Sequence, residues 1–380
     1  MIHRRVVLHF PGFEPLDAEA HRQRYQRSAA QAARVWESRF AVGPMSGTPE
    51  NAHFIVDAAG DVWVTSSEIH IHDHNDLIAS LRRESLWRQI AAGFRAGLAL
   101  VIQGAAFAYF RHAWRFGLFF LFPYLFIALG IAIGVEIAAL PLTIDLHPLW
   151  LLLSLPLGYA AFRYGWMRLS DRYHVLHLLA DWRLAVAIAE NGQEVAAWIE
   201  READRAERAL VTSADEILVT SHSMGASLAL SVIGRLIERN SPVLRDRRIT
   251  FVTLGGAALQ CSLLSSATLL RHRIGLVARH TQVDWFDIQC LTDPIHLYKC
   301  QTVALSGHPD APQPKLVFVR FKNAMSAERY GRNRRDFLRM HRQYVLGPDQ
   351  KSGFDFTLMT AGPLPALSFS DLHSARPPVF

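Results

Sequence analysis

Between Phe116 and Val135 the chain runs for twenty residues without a charged side chain (FGLFFLFPYLFIALGIAIGV). That length crosses a hydrocarbon core as one helix, and in lipid only a helix or a closed barrel pairs every backbone polar group. A second apolar run, Pro148 to Phe162, continues past Arg163 to Met167, and Arg163 can snorkel at its end. Pro123 and Pro156 are tolerable inside such helices. The expectation is a membrane hairpin with helices at about 116–138 and 148–167; a buried core hairpin is the alternative. Arg111, Arg115, Arg163, Arg168 and Arg172 lie outside its ends, whereas the tip from Leu140 to His147 holds only Asp145. The positive-inside rule then puts both ends in the cytoplasm. The stretch Ala96–Phe110 reaches only about 22 Å as helix and reads as an interfacial or buried helix. Parity agrees: if the segments before and after the insertion build one domain, the number of spans is even.

The hydrophobic share of the 380 residues, 50%, is therefore concentrated rather than spread. The N-terminal MIHRRVVLHF has too short an apolar run for a signal peptide. Cys261, Cys290 and Cys300 have neither metal nor redox spacing and are expected to stay reduced in the cytosol. Outside the hairpin the pattern alternates strand and helix. Arg5–Phe10 reads as a strand, Ala18–Arg39 as a helix, and His53–Asp57 with Asp61–Ser66 as a hairpin. Helices follow at Tyr173–Ala189 and Gln193–Leu210. Then come the strand Glu216–Thr220, a helix Met224–Arg239, the strand Ile249–Leu254, a helix Leu263–Ala278, and the strands Val283–Ile288 and Lys315–Phe321. Such alternation predicts a mainly parallel sheet covered by helices on both faces. Residues 1–74 and 171–380 then form one α/β domain, interrupted by the membrane insertion 75–170.

The run Glu216–Ala226 carries the chemistry. A β-branched strand enters Ser-His-Ser-Met-Gly and a helix follows at once, the context of a serine nucleophile elbow. The turn requires small residues two before and two after the serine. Gly225 meets this, and Ser221 stands where glycine is usual. A serine hydroxyl needs a histidine to take its proton and a carboxylate to orient that histidine. Asp293, in Thr-Asp-Pro-Ile after the strand Val283–Ile288, supplies the acid, with Asp287 the runner-up; an Asp-Pro turn is the plain reading of Asp293. His341, about twenty residues past the last strand, supplies the base. His222 is a rival, but the elbow is expected to aim it away; His296, His308 and His373 lack the strand-then-loop placement. The oxyanion needs two N–H donors, expected from Met224, directly after the nucleophile, and from Gly12 or, preferred, Phe13 in the early His-Phe-Pro-Gly-Phe loop, where a simple Pro-Gly turn is the plain reading.

Ser223 in SHSMG, Asp293 in TDPI, His341 and the early HFPGF loop together resemble the α/β-hydrolase superfamily, in its chain order Ser…Asp…His. Within it, the Thr-Leu-Gly-Gly strand end looks faintly like fungal-type lipases. The resemblance implies a serine hydrolase that cleaves a carboxylic ester; the hairpin, which is not typical of that superfamily, adds a membrane anchor and membrane lipids as expected partners, and no cofactor or metal is expected. An integral protein of the inner membrane, catalytic domain in the cytoplasm, is the expected setting. A non-catalytic membrane adaptor on the same scaffold is the alternative. A metallohydrolase through His70, His72 and His74 is a third reading, since alternate histidines on a strand share one face. From Arg320 to Arg342 there are eight Lys or Arg residues against Glu328 and Asp336. No nucleic-acid-binding module accompanies them. Basic residues gain roughly 1 kcal/mol each at an anionic leaflet, so an anionic headgroup or a solvated basic face is expected there.

Overall fold

The computed structural model describes residues 1–47, 52–245 and 247–371; His373 lies outside them. Eight strands form one sheet: β1 (Arg4–Phe10), β2 (Arg39–Val42), β3 (His53–Ala59), β4 (Val64–Ile71), β5 (Glu216–His222), β6 (Ile249–Leu254), β7 (Val283–Cys290) and β8 (Lys315–Val319). Their spatial order is β2-β3-β4-β1-β5-β6-β7-β8. Only β3 runs against the rest, pairing antiparallel with β2 and β4. The sheet is thus mixed and mostly parallel, as the alternation of elements predicts.

Both faces are covered because successive side chains of each strand point to opposite sides. Val6, Leu8 and Phe10 of β1 join a core with the helices Val175–Ala189, Gln193–Leu210, Gly225–Glu238 and Thr268–Arg279. Val7, Leu218 and Val252 face the opposite layer, with the helices Ala18–Trp36 and Phe356–Ala361. β1 is hydrogen-bonded to β4 on one side and β5 on the other. The chain therefore leaves β1 in one direction and returns at β5 in the other. Open α/β sheets bind ligands at such a switch point, outside the carboxyl ends of the strands.

The apolar insertion is a helical hairpin. Its first arm, Ala105–Thr143, is long and apolar enough to cross a membrane, with a mean hydropathy of 2.4 over its most apolar window. The arm kinks at Ala113, where φ is −151° and ψ 75°. The second arm is built from a short turn Pro148–Trp150, the helix Leu151–Ala160, a π-helical stretch Ala161–Trp166 and the helix Met167–Arg172. Small residues let the arms touch: a β-carbon on Gly134 would stand 3.1 Å from the Gly158 carbonyl oxygen. Ser154 Oγ donates to the Ala138 carbonyl at 2.7 Å and Trp166 Nε1 to that of Phe126 at 2.9 Å. Towards the tip the apolar side chains point outward, with Leu125, Leu129, Leu149 and Leu152 all exposed. At the base the first arm enters the domain core, where Tyr109, Phe116, Phe119 and Phe120 surround Trp182.

The stretch Ala96–Phe110 is not one helix. Helix Leu86–Ile102 stops, and Gly104, at φ +79°, turns the chain into the next helix. A glycine takes that left-handed conformation without the Cβ clash that others suffer.

Candidate active site

Ser223 lies between β5 and the helix Gly225–Glu238 with φ at +52°, a left-handed conformation rare for a residue with a side chain. That conformation costs about 1–2 kcal/mol, and the surroundings hold it. Ser223 N donates to the Leu254 carbonyl at 3.2 Å, and its own carbonyl accepts from Ala226 N at 3.0 Å and Ala257 N at 3.1 Å. A β-carbon on Gly225 would overlap the carbonyl oxygens of Phe10 and Pro11, so the elbow closes on the end of β1 only with glycine there. Ser221, in the place usual for glycine, is accommodated as the buried penultimate residue of β5.

Asp293 and His341 meet although 48 residues separate them: His341 Nδ1 lies 2.8 Å from Asp293 Oδ2. The other carboxyl oxygen, Oδ1, accepts from Ile295 N at 3.0 Å. The Asp-Pro turn and the histidine partnership are therefore both present, one oxygen each. Burial alone would raise the Asp293 carboxyl; the His341 and His296 imidazoles beside it outweigh burial and hold it far below the usual carboxylate range. A carboxylate only accepts, so His341 Nδ1 donates to it, and in the neutral ring the lone pair is on Nε2. Nε2 is buried and has no protein partner among the described residues. His341 and Ser223 both line a cavity of about 40 Å³, and no hydrogen bond joins Ser223 Oγ to Nε2.

Asp287 does not reach this histidine. Its oxygens accept from Thr253 Oγ1 and Gln289 Nε2, both at 2.7 Å, and burial pushes its carboxyl up to about 6. The two oxyanion candidates sit on either side of the serine. Phe13 lines the same cavity, and neither the Met224 nor the Phe13 amide donates to an acceptor among the described residues. A β-carbon on Gly12 would stand 2.9 Å from His222 Nδ1 and 3.1 Å from Ser223 Cβ. The Pro-Gly step thus lets the loop after β1 lie against the elbow.

Three residues of the site were not singled out as partners by the sequence. His222, expected to aim away, turns to the histidine's own segment: its Nε2 donates to the His341 carbonyl at 3.0 Å, and the two rings are 4.6 Å apart. Tyr344 OH accepts from Cys290 N at 2.8 Å, tying the His341 segment to the end of β7. Asp181, from the otherwise apolar helix Val175–Ala189, lines the serine's cavity and accepts from Gln260 Nε2 at 2.8 Å. Burial pushes its carboxyl up to about 7. A lone acid in VLHLLADWRLAVAIA is the signal that points to it.

The histidines 70, 72 and 74 do not converge. His72 bonds Glu202 at 2.8 Å and stacks on Phe10, and His74 lies buried edge-on to Trp198. His70 bonds Glu68 at 2.8 Å and, with His53 across the antiparallel pair, gives three donor atoms within 4.8 Å of one another. A metal reading therefore shifts to His53, Glu68 and His70, at the β3–β4 pair. No family model, no curated protein and no solved structure matches this chain.

Proposed function

We propose that this protein is a membrane-anchored serine hydrolase of the α/β-hydrolase type that cleaves a carboxylic ester. The observation that carries the reading is the 2.8 Å contact of His341 Nδ1 with Asp293 Oδ2, on a histidine that shares the lining of one cavity with the elbow serine and whose Nε2 has no protein partner among the described residues. The chain order Ser223, Asp293, His341 and the strand–serine–helix context support the family.

In this reading Ser223 Oγ attacks the ester carbonyl as His341 Nε2 takes its proton, and Asp293 stabilises the imidazolium. The amides of Met224 and Phe13 receive the oxyanion. Collapse expels the alcohol, which leaves with the proton from His341, and an acyl-serine remains. Water then attacks, His341 again takes the proton, and the acid departs as Ser223 regains its own.

The apolar arms of the hairpin cross the inner membrane in this account, with the domain on the cytoplasmic side. Support comes from the outward apolar residues, the close small-residue contact of the arms and the arginines at their base. Phe119, from the first arm, lines the cavity of Ser223. A substrate acyl chain drawn from the bilayer thus has a short apolar route to the serine. A volume of about 40 Å³ holds a water rather than an acyl chain, so substrate entry displaces side chains such as Phe119. A fluorophosphonate probe is expected to label the wild type and not Ser223→Ala. Equal labelling of both excludes Ser223 as the nucleophile.

A further inference from the structure

Beside the serine's cavity lies a larger open cleft of about 590 Å³. Five arginines line it, and they come from distant parts of the chain: Arg24 and Arg27 from the helix Ala18–Trp36, and Arg329, Arg339 and Arg342 from the two short helices before and at His341. Glu14 is the one carboxylate in its lining, and it is also part of the serine's cavity, as is Arg342. Glu14 is buried and held by both neighbours: Arg342 Nε contacts Oε1 at 2.7 Å, and Arg24 pairs with Oε2. Burial would raise this carboxyl, but the two guanidiniums hold it far below the usual range, so it stays charged. The Glu14–Arg342 ion pair is therefore common to the walls of the cleft and of the nucleophile's cavity.

The remaining charges do not balance. Arg329 pairs with Asp349 at 2.8 Å and Arg339 with Asp336 at 3.1 Å. Arg27 is exposed and has no side-chain partner among the described residues. Glu14 is shared between Arg24 and Arg342. Five guanidiniums against Glu14, Asp336 and Asp349 leave two positive charges in excess. Like charges brought together by folding repel, and nothing in the fold's stability calls for an excess gathered in one concave place. Guanidinium forks match the oxygens of a phosphate bidentately, and two excess charges match a phosphate monoester dianion.

We infer that this cleft binds a phosphate-type anion, beside the cavity of Ser223. The anion comes either from the charged headgroup of the ester substrate or from free phosphate. For the headgroup source the inference rests on Ser223 being the nucleophile: the substrate is then a carboxylic ester whose alcohol carries a phosphate. Leu16 and Leu346, also in the lining, suit the carbon skeleton of such an alcohol.

The test is run on the full chain carrying Ser223→Ala, in phosphatidylcholine nanodiscs, so that binding is read without hydrolysis and independently of the triad. Two probes are titrated calorimetrically: inorganic phosphate, and dihexanoyl phosphatidic acid below its micellar concentration. Saturable binding is expected, weakened at least tenfold by Arg27→Glu with Arg339→Glu and kept within about threefold by the two lysine replacements. Tighter binding of the lipid identifies a headgroup site, and binding of inorganic phosphate alone identifies a free-phosphate site; both uphold the anion site. Absence of binding by either probe, or equal affinity in the wild-type cleft and the double-glutamate variant, overturns it. The lysine variant separates lost charge from lost folding.

Discussion

At the scale of single residues the site depends on atoms whose roles follow from what their partners can accept. Because Asp293 is ionised and its Oδ2 receives His341 Nδ1, the tautomer of His341 is set. Because the His341 carbonyl can only accept, His222 Nε2 carries a proton. His222 is therefore a positioning residue, holding the backbone of the base without touching the reacting atoms. His222→Ala is expected to lower kcat about tenfold with little change in KM. His222→Gln, whose amide nitrogen also donates, is expected to recover most of it. A larger change in KM than in kcat, or no recovery with Gln, contradicts the role. The local motifs were legible: Ser223 from its strand-to-helix turn, Asp293 and His341 from their place after later strands. The hydrogen bond from His222 was not, because it joins residues 119 apart in the chain and depends on the final path of the His341 segment. Asp181 and Tyr344 escaped for the same reason, being brought to the site only by tertiary packing.

At the scale of elements, most strands read correctly to within a residue or two, as with β7, which runs on to Cys290, but β4, expected over Asp61–Ser66, lies at Val64–Ile71. Edge and breaker details were missed. β2, only Arg39–Val42, has no counterpart among the elements expected from sequence, where the first helix runs to Arg39; four residues that alternate exposed and half-exposed are too few to carry a period. The helix expected over Leu263–Ala278 begins only at Thr268, after a separate helix Ala258–Ser262; in the turn Leu-Leu-Ser-Ser-Ala between them, Ser265 N donates to the Gln103 carbonyl and Ser266 N to Gln103 Oε1, bonds the sequence does not reveal. The hairpin has a direct test at this scale. Asp145, at its tip, and Asp61, in the turn between β3 and β4, belong on opposite sides of the membrane in this account. The native cysteines are all buried, so an impermeant maleimide reads added ones cleanly. Cysteine at 145 is expected to react in intact cells, and cysteine at 61 only after lysis. Labelling of both from the same side removes the transmembrane hairpin.

For the whole molecule, the sheet's switch point, the apolar hairpin and the arginine cleft meet around the carboxyl ends of β1 and β5. This assembly also buries many titratable groups. Burial is the leading cause that lowers His9, His21, His72, His74 and His222; His21 and His222 fall to about 3, and His72 and His74 to about 4. A depressed folded-state value means stability that is present above the unfolded value of 6.5 and is lost as pH falls below it. Asp181, raised to about 7, Asp287, raised to about 6, and Asp355 act in the opposite sense, losing stability as pH rises through their folded values. His70, His177 and His280 are lowered in the same way and Asp73 is raised to about 6, so eight histidines against four aspartates predict a Tm that falls as pH drops from 6.5 to 4, while Asp181→Asn raises stability above pH 7. A Tm that is flat or rises on acidification contradicts the neutral buried histidines.

In the proposed mechanism Ser223, His341 and Asp293 act as one hydrolytic unit. Residues of such a unit lose activity non-additively, because removing one leaves the others nothing to do. The decisive measurement is kcat for a soluble p-nitrophenyl ester with Ser223→Ala, His341→Ala and the two combined. The account predicts the same residual rate in all three, at least a thousandfold below wild type. Losses that multiply in the double variant, or a Ser223→Ala enzyme with wild-type rate, contradict it.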